Sequence, residues 1–192
     1  MILPRILTLA ALLAALLLGA GAHAEPPIQR VKQVDLSRYM GRWYVIASIP
    51  SRVERGGHNA VETYRLQADG TVCTWFRLRP GSFDAPVRLI RSTASIIPGS
   101  GQAQWSVHLY WLLRLQYLVG WLSPDYSQVM VVRDARDYLW YMARSPQVSD
   151  ADYLGMLARA KAMGYDPARI EKVPQRWPEH VADNQTFEGA CP

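Results

Sequence analysis

YMGRWYVIASIPSRVERG, residues 39–56, decides how the rest of this chain is read. A glycine stands two places before a tryptophan, an apolar run follows, and a charged loop then ends on Gly56, with Gly57 directly after it. Gly41 lets the backbone turn tightly into a strand. The run after it, rich in β-branched and aromatic residues, has the composition of a strand.

Working outward, residues 42–144 continue as short runs of Val, Ile, Tyr, Trp and Thr, with turn formers every ten or so positions. Eight strands are expected: residues 42–49, 59–67, 71–79, 86–97, 103–111, 115–122, 127–134 and 138–144. The breaks fall at Asp69-Gly70, Pro80-Gly81, Pro98-Gly99 with Gly101, and Pro124-Asp125, all residues that favour turns. Links this short imply a meander. After the strands the period changes. Ser149 is an N-cap with Asp150 and Asp152 in the first turn; Leu154, Leu157, Ala158 and Met163 share one face; Gly164 marks the stop. The fold class is therefore all-β: an eight-stranded antiparallel up-and-down barrel with one C-terminal α-helix packed outside. Closure is favoured over a sandwich because it removes the edge strands.

Residues 1–24 read as a cleaved signal peptide, with one charge at Arg5, an apolar run from Ile6 to Leu18 and the ending Ala22-His23-Ala24. The alternative, a membrane anchor, falls short of the roughly 20 apolar residues a spanning helix needs. Cleavage leaves residues 25–192 as a single domain with a tail at 176–192, and no cysteine near the new terminus to carry a lipid. A soluble periplasmic or secreted product is expected. The mature chain has 20 Lys and Arg against 16 Asp and Glu. That balance is too mild for nucleic acid but makes an anionic membrane surface a candidate partner. Cys73 and Cys191 form an even pair in an exported chain, which invites a disulfide; two free thiols are the alternative.

Three separated elements resemble the lipocalin family: Gly41-Arg42-Trp43-Tyr44 preceded by VDLSRY, Pro124-Asp125-Tyr126 where the family has Thr-Asp-Tyr, and Arg144 just before the helix. The likeness covers residues 33–175. It looks closest to the bacterial and apolipoprotein D-like branch, through GRWYVIASIPSRVERG and RDYLWYMARSP. The resemblance implies that a short helical turn and Trp43 plug one end of the barrel. Arg144 would stack on the indole, a contact of about 0.5–2 kcal/mol. It also implies that Gly41, Trp43, Asp125, Tyr126 and Arg144 hold the barrel shut, while the other end admits a lipophilic small molecule.

Strand alternation supplies an expected pocket wall of Trp105, Val107, Leu109, Trp111, Tyr117, Val119, Trp121, Met130 and Val132. A solidly packed core built from the same residues is the alternative. Arg52, Arg55 and His58 are rim candidates for a carboxylate or phosphate; a solvated loop is the other reading. Arg77 and Arg79 read as outward. Catalysis finds little support. His58, His108 and His180 lack metal-ligand spacing, Ser100 is not on a strand-to-helix elbow, and Asp134 and Asp137 flank a turn. No cofactor or metal is expected. The leading reading is a non-enzymatic carrier or store of a fatty acid, lysophospholipid or similar amphiphile in the cell envelope. A packed interaction module, or an enzyme acting on a bound lipophile, are the competing ones. Oligomeric state is not legible.

Overall fold

The structure, a computed structural model, describes residues 25–109, 112–179 and 191. The expected leader, Trp111 and His180 lie outside the described residues. A short helix α1 (Leu36–Tyr39) leads into β1 (Gly41–Ile49), followed by β2 (Gly57–Leu66), β3 (Val72–Pro80), β4 (Arg88–Ile96), β5 (Gln104–Leu109), β6 (Leu113–Leu122), β7 (Gln128–Val132) and β8 (Leu139–Ala143). Helix α2 (Asp150–Ala162), one 3-10 turn (Pro167–Arg169) and a two-residue strand β9 (Glu171–Lys172) complete the order. Consecutive strands pair antiparallel, and β1 closes the barrel by pairing with both β8 and β2.

Closure is uneven. β1 stays on β2 only from Gly41 to Tyr44, opposite Tyr64 to Val61, and then splays away. The chain after α2 fills the wedge: β9 pairs with Ala47 and Ser48, and the Gln175 amide donates to both the Val45 and Ala60 carbonyls. That strand and its role are absent from the sequence reading, because two residues of Glu-Lys carry no strand signal. The tail continues across the outer face, where Glu179 pairs with Arg77 and Arg79 and accepts from Asn59. Arg77 and Arg79 do point away from the lumen, yet their side chains are only 12% and 6% exposed because the tail covers them. Cys73 and Cys191 are bridged, with 5.7 Å between their Cα atoms, which pins the end of that tail to β3.

The apolar residues divide into two clusters. One fills the lower lumen, around Trp43, Tyr39, Tyr64, Trp105 and Tyr117. The other lies outside, where α2 covers β7, β8 and β1. Ser149 caps α2 by accepting from the Asp152 amide, as its sequence implies. The buried face of the helix differs from the expected one. Met156 and Ala160 are buried and Tyr153, Leu157 and Met163 pack beside them, whereas Leu154 is 63% exposed. Both faces carry apolar residues at helical spacing, so the period by itself left the choice between them open.

The closed end rests on Arg144. Its guanidinium lies 3.7 Å from the centre of the Trp43 ring and donates to the carbonyls of Arg38, Tyr39, Met40 and Arg42. Those carbonyls include the C-terminal ones of α1, which have no partner within so short a helix. Trp43 is fully buried, and its indole N–H donates to the Tyr39 carbonyl at 2.8 Å. Gly41 has φ +87°, and an added Cβ would sit 3.6 Å from the guanidinium. Tyr126 anchors the neighbouring turn: its hydroxyl accepts from the Asp35 amide at 2.9 Å, and Arg38 lies 4.0 Å above its ring. Asp125 shapes that turn from the solvent side. Hydrogen bonds from Ser123 and Ser127 hold its carboxyl down to about 2. Replacing Arg144 by alanine removes the stack and four charge-assisted bonds together. Urea unfolding of Arg144→Ala is expected to show a loss of about 2–4 kcal/mol, with Arg144→Lys recovering only part of it.

Candidate functional site

Above the plug the barrel is hollow. A cavity of about 440 Å³ opens between the β1–β2, β5–β6 and β7–β8 connections, within the size range of small-molecule sites. Its wall is largely apolar, with Phe76, Ile90, Val107, Leu109, Leu115, Val131 and Trp140 facing the space. The floor includes two phenols of a three-tyrosine chain. Tyr39 and Tyr117 hydroxyls are 2.5 Å apart, and Tyr117 donates to Tyr64 at 2.9 Å. Burial pushes all three upward, so they stay neutral and satisfy one another. Trp105 stacks on Tyr117 with ring centres 4.6 Å apart, which stiffens the floor.

Of the expected wall, Val107, Leu109 and Tyr117 line the cavity. Trp105 and Val119 face the lumen but lie in the packed layer beneath it, 1% and 0% exposed. Trp121, Met130 and Val132 are corrections: all three sit outside the barrel against α2. For Trp121 the cause is a β-bulge. In the β6–β7 ladder Val119 faces Val131 and Trp121 faces Met130, so Gly120 is an extra residue and inward–outward parity reverses there. A Cβ on Gly120 would come within 2.7 Å of Val132 Cγ2, so the bulge needs a glycine at that position. Trp121 consequently turns outward beneath the Arg159 guanidinium, 4.3 Å from its ring centre. In β7 the inward residues are Val129 and Val131. Both faces of that strand are buried, so its apolar run has no alternation to read.

At the mouth, Arg52 borders the cavity; Arg55 does not, and His58 packs instead on Phe83 at 4.7 Å. Arg133, which sequence reasoning passed over, is the second cation on the cavity wall. Its Nη1 reaches Asp137 at 3.3 Å, while its Nε is buried with no hydrogen-bond partner among the described residues. Asp134 is a structural tie, accepting from the Ile28 amide and the Gln116 side chain.

Two carboxyls also belong to the wall, and neither was expected. Glu54 folds the first loop across the mouth, accepting from the Ser51 amide at 3.0 Å and from the Tyr138 hydroxyl at 2.8 Å. Glu62 lies deeper, on the inward face of β2 that also carries Ala60 and Tyr64, and is 2% exposed. Alternation places it there, but a glutamate in a strand reads at first sight as a solvent-facing residue. Burial raises the proton affinity of both carboxyls, that of Glu62 strongly. A carboxyl that binds its proton more tightly folded than unfolded favours the fold at acid pH, and that contribution fades as pH rises. Glu62→Gln, which cannot ionise, is therefore expected to melt several degrees above the parent at pH 7, with the gap closing toward pH 4. Calorimetry across that range checks it; a pH-independent gap would show that Glu62 is not held neutral.

The comparisons with known proteins agree with this geometry. Residues 34–175 match the family model described as a lipocalin-like domain. Temperature-induced lipocalin-1 of Arabidopsis thaliana is 32% identical over 157 residues, covering 76% of this chain and 81% of the relative. Outer membrane lipoprotein Blc of Escherichia coli K12 is 31% identical over 171 residues, covering 86% and 94%. Among solved structures, insecticyanin from the tobacco hornworm Manduca sexta superposes with a TM-score of 0.61 at 15% identity, covering 80% of this chain and 86% of its own, a likeness of fold alone. With its plugged barrel, its arginine-stacked tryptophan and a family match over most of its length, this chain belongs to the lipocalins.

Proposed function

We propose that the protein is a non-enzymatic carrier or store of a lipophilic small molecule of the fatty acid or lysophospholipid kind, exported into the cell envelope by residues 1–24. The observation that carries this reading is the 440 Å³ apolar cavity that opens at one end of the barrel. A packed interaction module would need that space filled by its own side chains. Each buried methylene contributes about 0.8 kcal/mol, so a chain of a dozen carbons supplies useful affinity without any polar contact. Arg52 and Arg133 at the mouth suit an anionic head group, since a guanidinium meets carboxylate or phosphate with two parallel hydrogen bonds.

The rim supports a second part of the reading, contact with an anionic bilayer. Val53, Leu112 and Leu113 are exposed at the open end, 48%, 72% and 47%, and Arg52, Arg55, Arg88 and Arg114 are exposed around them. Apolar tips ringed by cations match a membrane surface, with the cavity mouth then facing the lipid.

Isothermal titration of delipidated protein with dodecanoic acid is expected to show saturable one-site binding, weakened five- to fiftyfold in Arg133→Ala; no uptake of this or other single-chain lipids sinks the carrier reading. Sedimentation with phosphatidylglycerol vesicles is expected to exceed that with phosphatidylcholine and to fall in the double variant Arg55→Glu, Arg114→Glu. Equal sedimentation with both vesicle types removes the membrane part alone.

A further inference from the structure

In this largely apolar wall, below the mouth, stands the Glu62 carboxyl. It borders the space while being almost fully buried, and its Oε2 has no hydrogen-bond partner among the described residues. Thr74 is its hydrogen-bonding neighbour on β3, and the Thr74 hydroxyl lies 2.7 Å from that of Ser92 on β4. Both hydroxyls border the cavity. Three adjacent strands therefore bring a carboxyl and two hydroxyls to one place in a largely apolar wall.

A purely alkyl ligand filling the cavity would lie over Glu62 and leave Oε2 unsatisfied and cut off from water, a costly arrangement for a buried polar atom. A valine or leucine here would suit such a ligand better. A neutral carboxyl, by contrast, both donates and accepts, as does a ligand hydroxyl. Burial favours the neutral form of Glu62, which is consistent with an uncharged partner.

We propose that Glu62, with Thr74 and Ser92 beside it, is a deep hydrogen-bonding subsite for the hydroxyl of an oxygenated lipophile, so that the protein prefers a ligand with a polar group far inside the barrel over one that is hydrocarbon throughout. This deepens the carrier reading and rests on it: the mouth arginines meet a charged end, and Glu62 meets a neutral oxygen further in. Sites built to hydrogen-bond a ligand hydroxyl discriminate strongly against analogues lacking it, because their own buried groups are then left unpaired.

The test uses displacement of the neutral fluorescent lipophile N-phenyl-naphthylamine by undecan-1-ol and by dodecane, which differ by a hydroxyl in place of a methyl group. The ratio of the two affinities is compared between the parent and Glu62→Leu. The expected result is a fall in the alcohol-to-alkane ratio of about tenfold or more in the leucine variant, with dodecane bound more tightly than by the parent, and a near-parental ratio in Glu62→Gln, which keeps hydrogen-bonding atoms. Glu62→Ala replaces the leucine variant should that protein not fold. An unchanged ratio while both probes displace the reporter overturns the subsite and leaves the carrier reading standing. Failure of both probes to displace a bound reporter, or failure of the reporter to bind, overturns the two together.

Discussion

One guanidinium decides what kind of barrel this is. Arg144 leaves the end of β8, crosses the bottom of the molecule and binds the carbonyls of α1 and the start of β1 while covering the Trp43 indole. The last strand, the first strand and the segment before it are thereby joined at a single point. A closed barrel must bring together elements distant in sequence, 102 residues apart for Arg144 and Arg42, and the entropy of that closure has to be offset somewhere. It is offset at the bottom, which leaves the top free to stay open.

The same division of labour runs up the lumen. Below, aromatic rings and a chain of three phenols pack to near-complete burial. Above them lies unfilled space, bordered by two carboxyls whose proton affinity burial raises, that of Glu62 strongly. Carboxyls in a dry wall do not help the fold at neutral pH, since the unfolded chain would release their protons freely. Glu54 offsets part of that cost by tying the first loop to Tyr138 across the mouth. Glu62 makes no comparable tie, and a destabilising group without a structural return is the kind of residue a binding site retains.

Much of the architecture was legible in the residues. The eight strands, the turn positions and the N-cap at Ser149 all follow from local chemistry: β-branched runs, Pro and Gly at turns, and a serine before two aspartates; the plug at Trp43 was legible only through the family resemblance. The pocket was legible only in part. Alternation holds for Val107, Leu109 and Tyr117, then fails at Gly120, because one inserted residue reverses parity for the remainder of β6. It also fails in β7, where helix and lumen bury opposite faces of the same strand. Glu62 was hidden by its own chemistry, since only the closed barrel removes it from water.

What the sequence by itself determined is the order and kind of elements, because strand, turn and cap preferences act within a few residues. What only the tertiary structure decided is which faces meet: the bulge that turns Trp121 outward, the choice of the Met156–Ala160 face on α2, the tail wedged between β1 and β2, and the arrival of Arg133, Glu54 and Glu62 around one cavity. Those outcomes depend on contacts between residues far apart along the chain, and a glycine, a glutamate or a pair of apolar stripes carries no local mark of the partner it will meet.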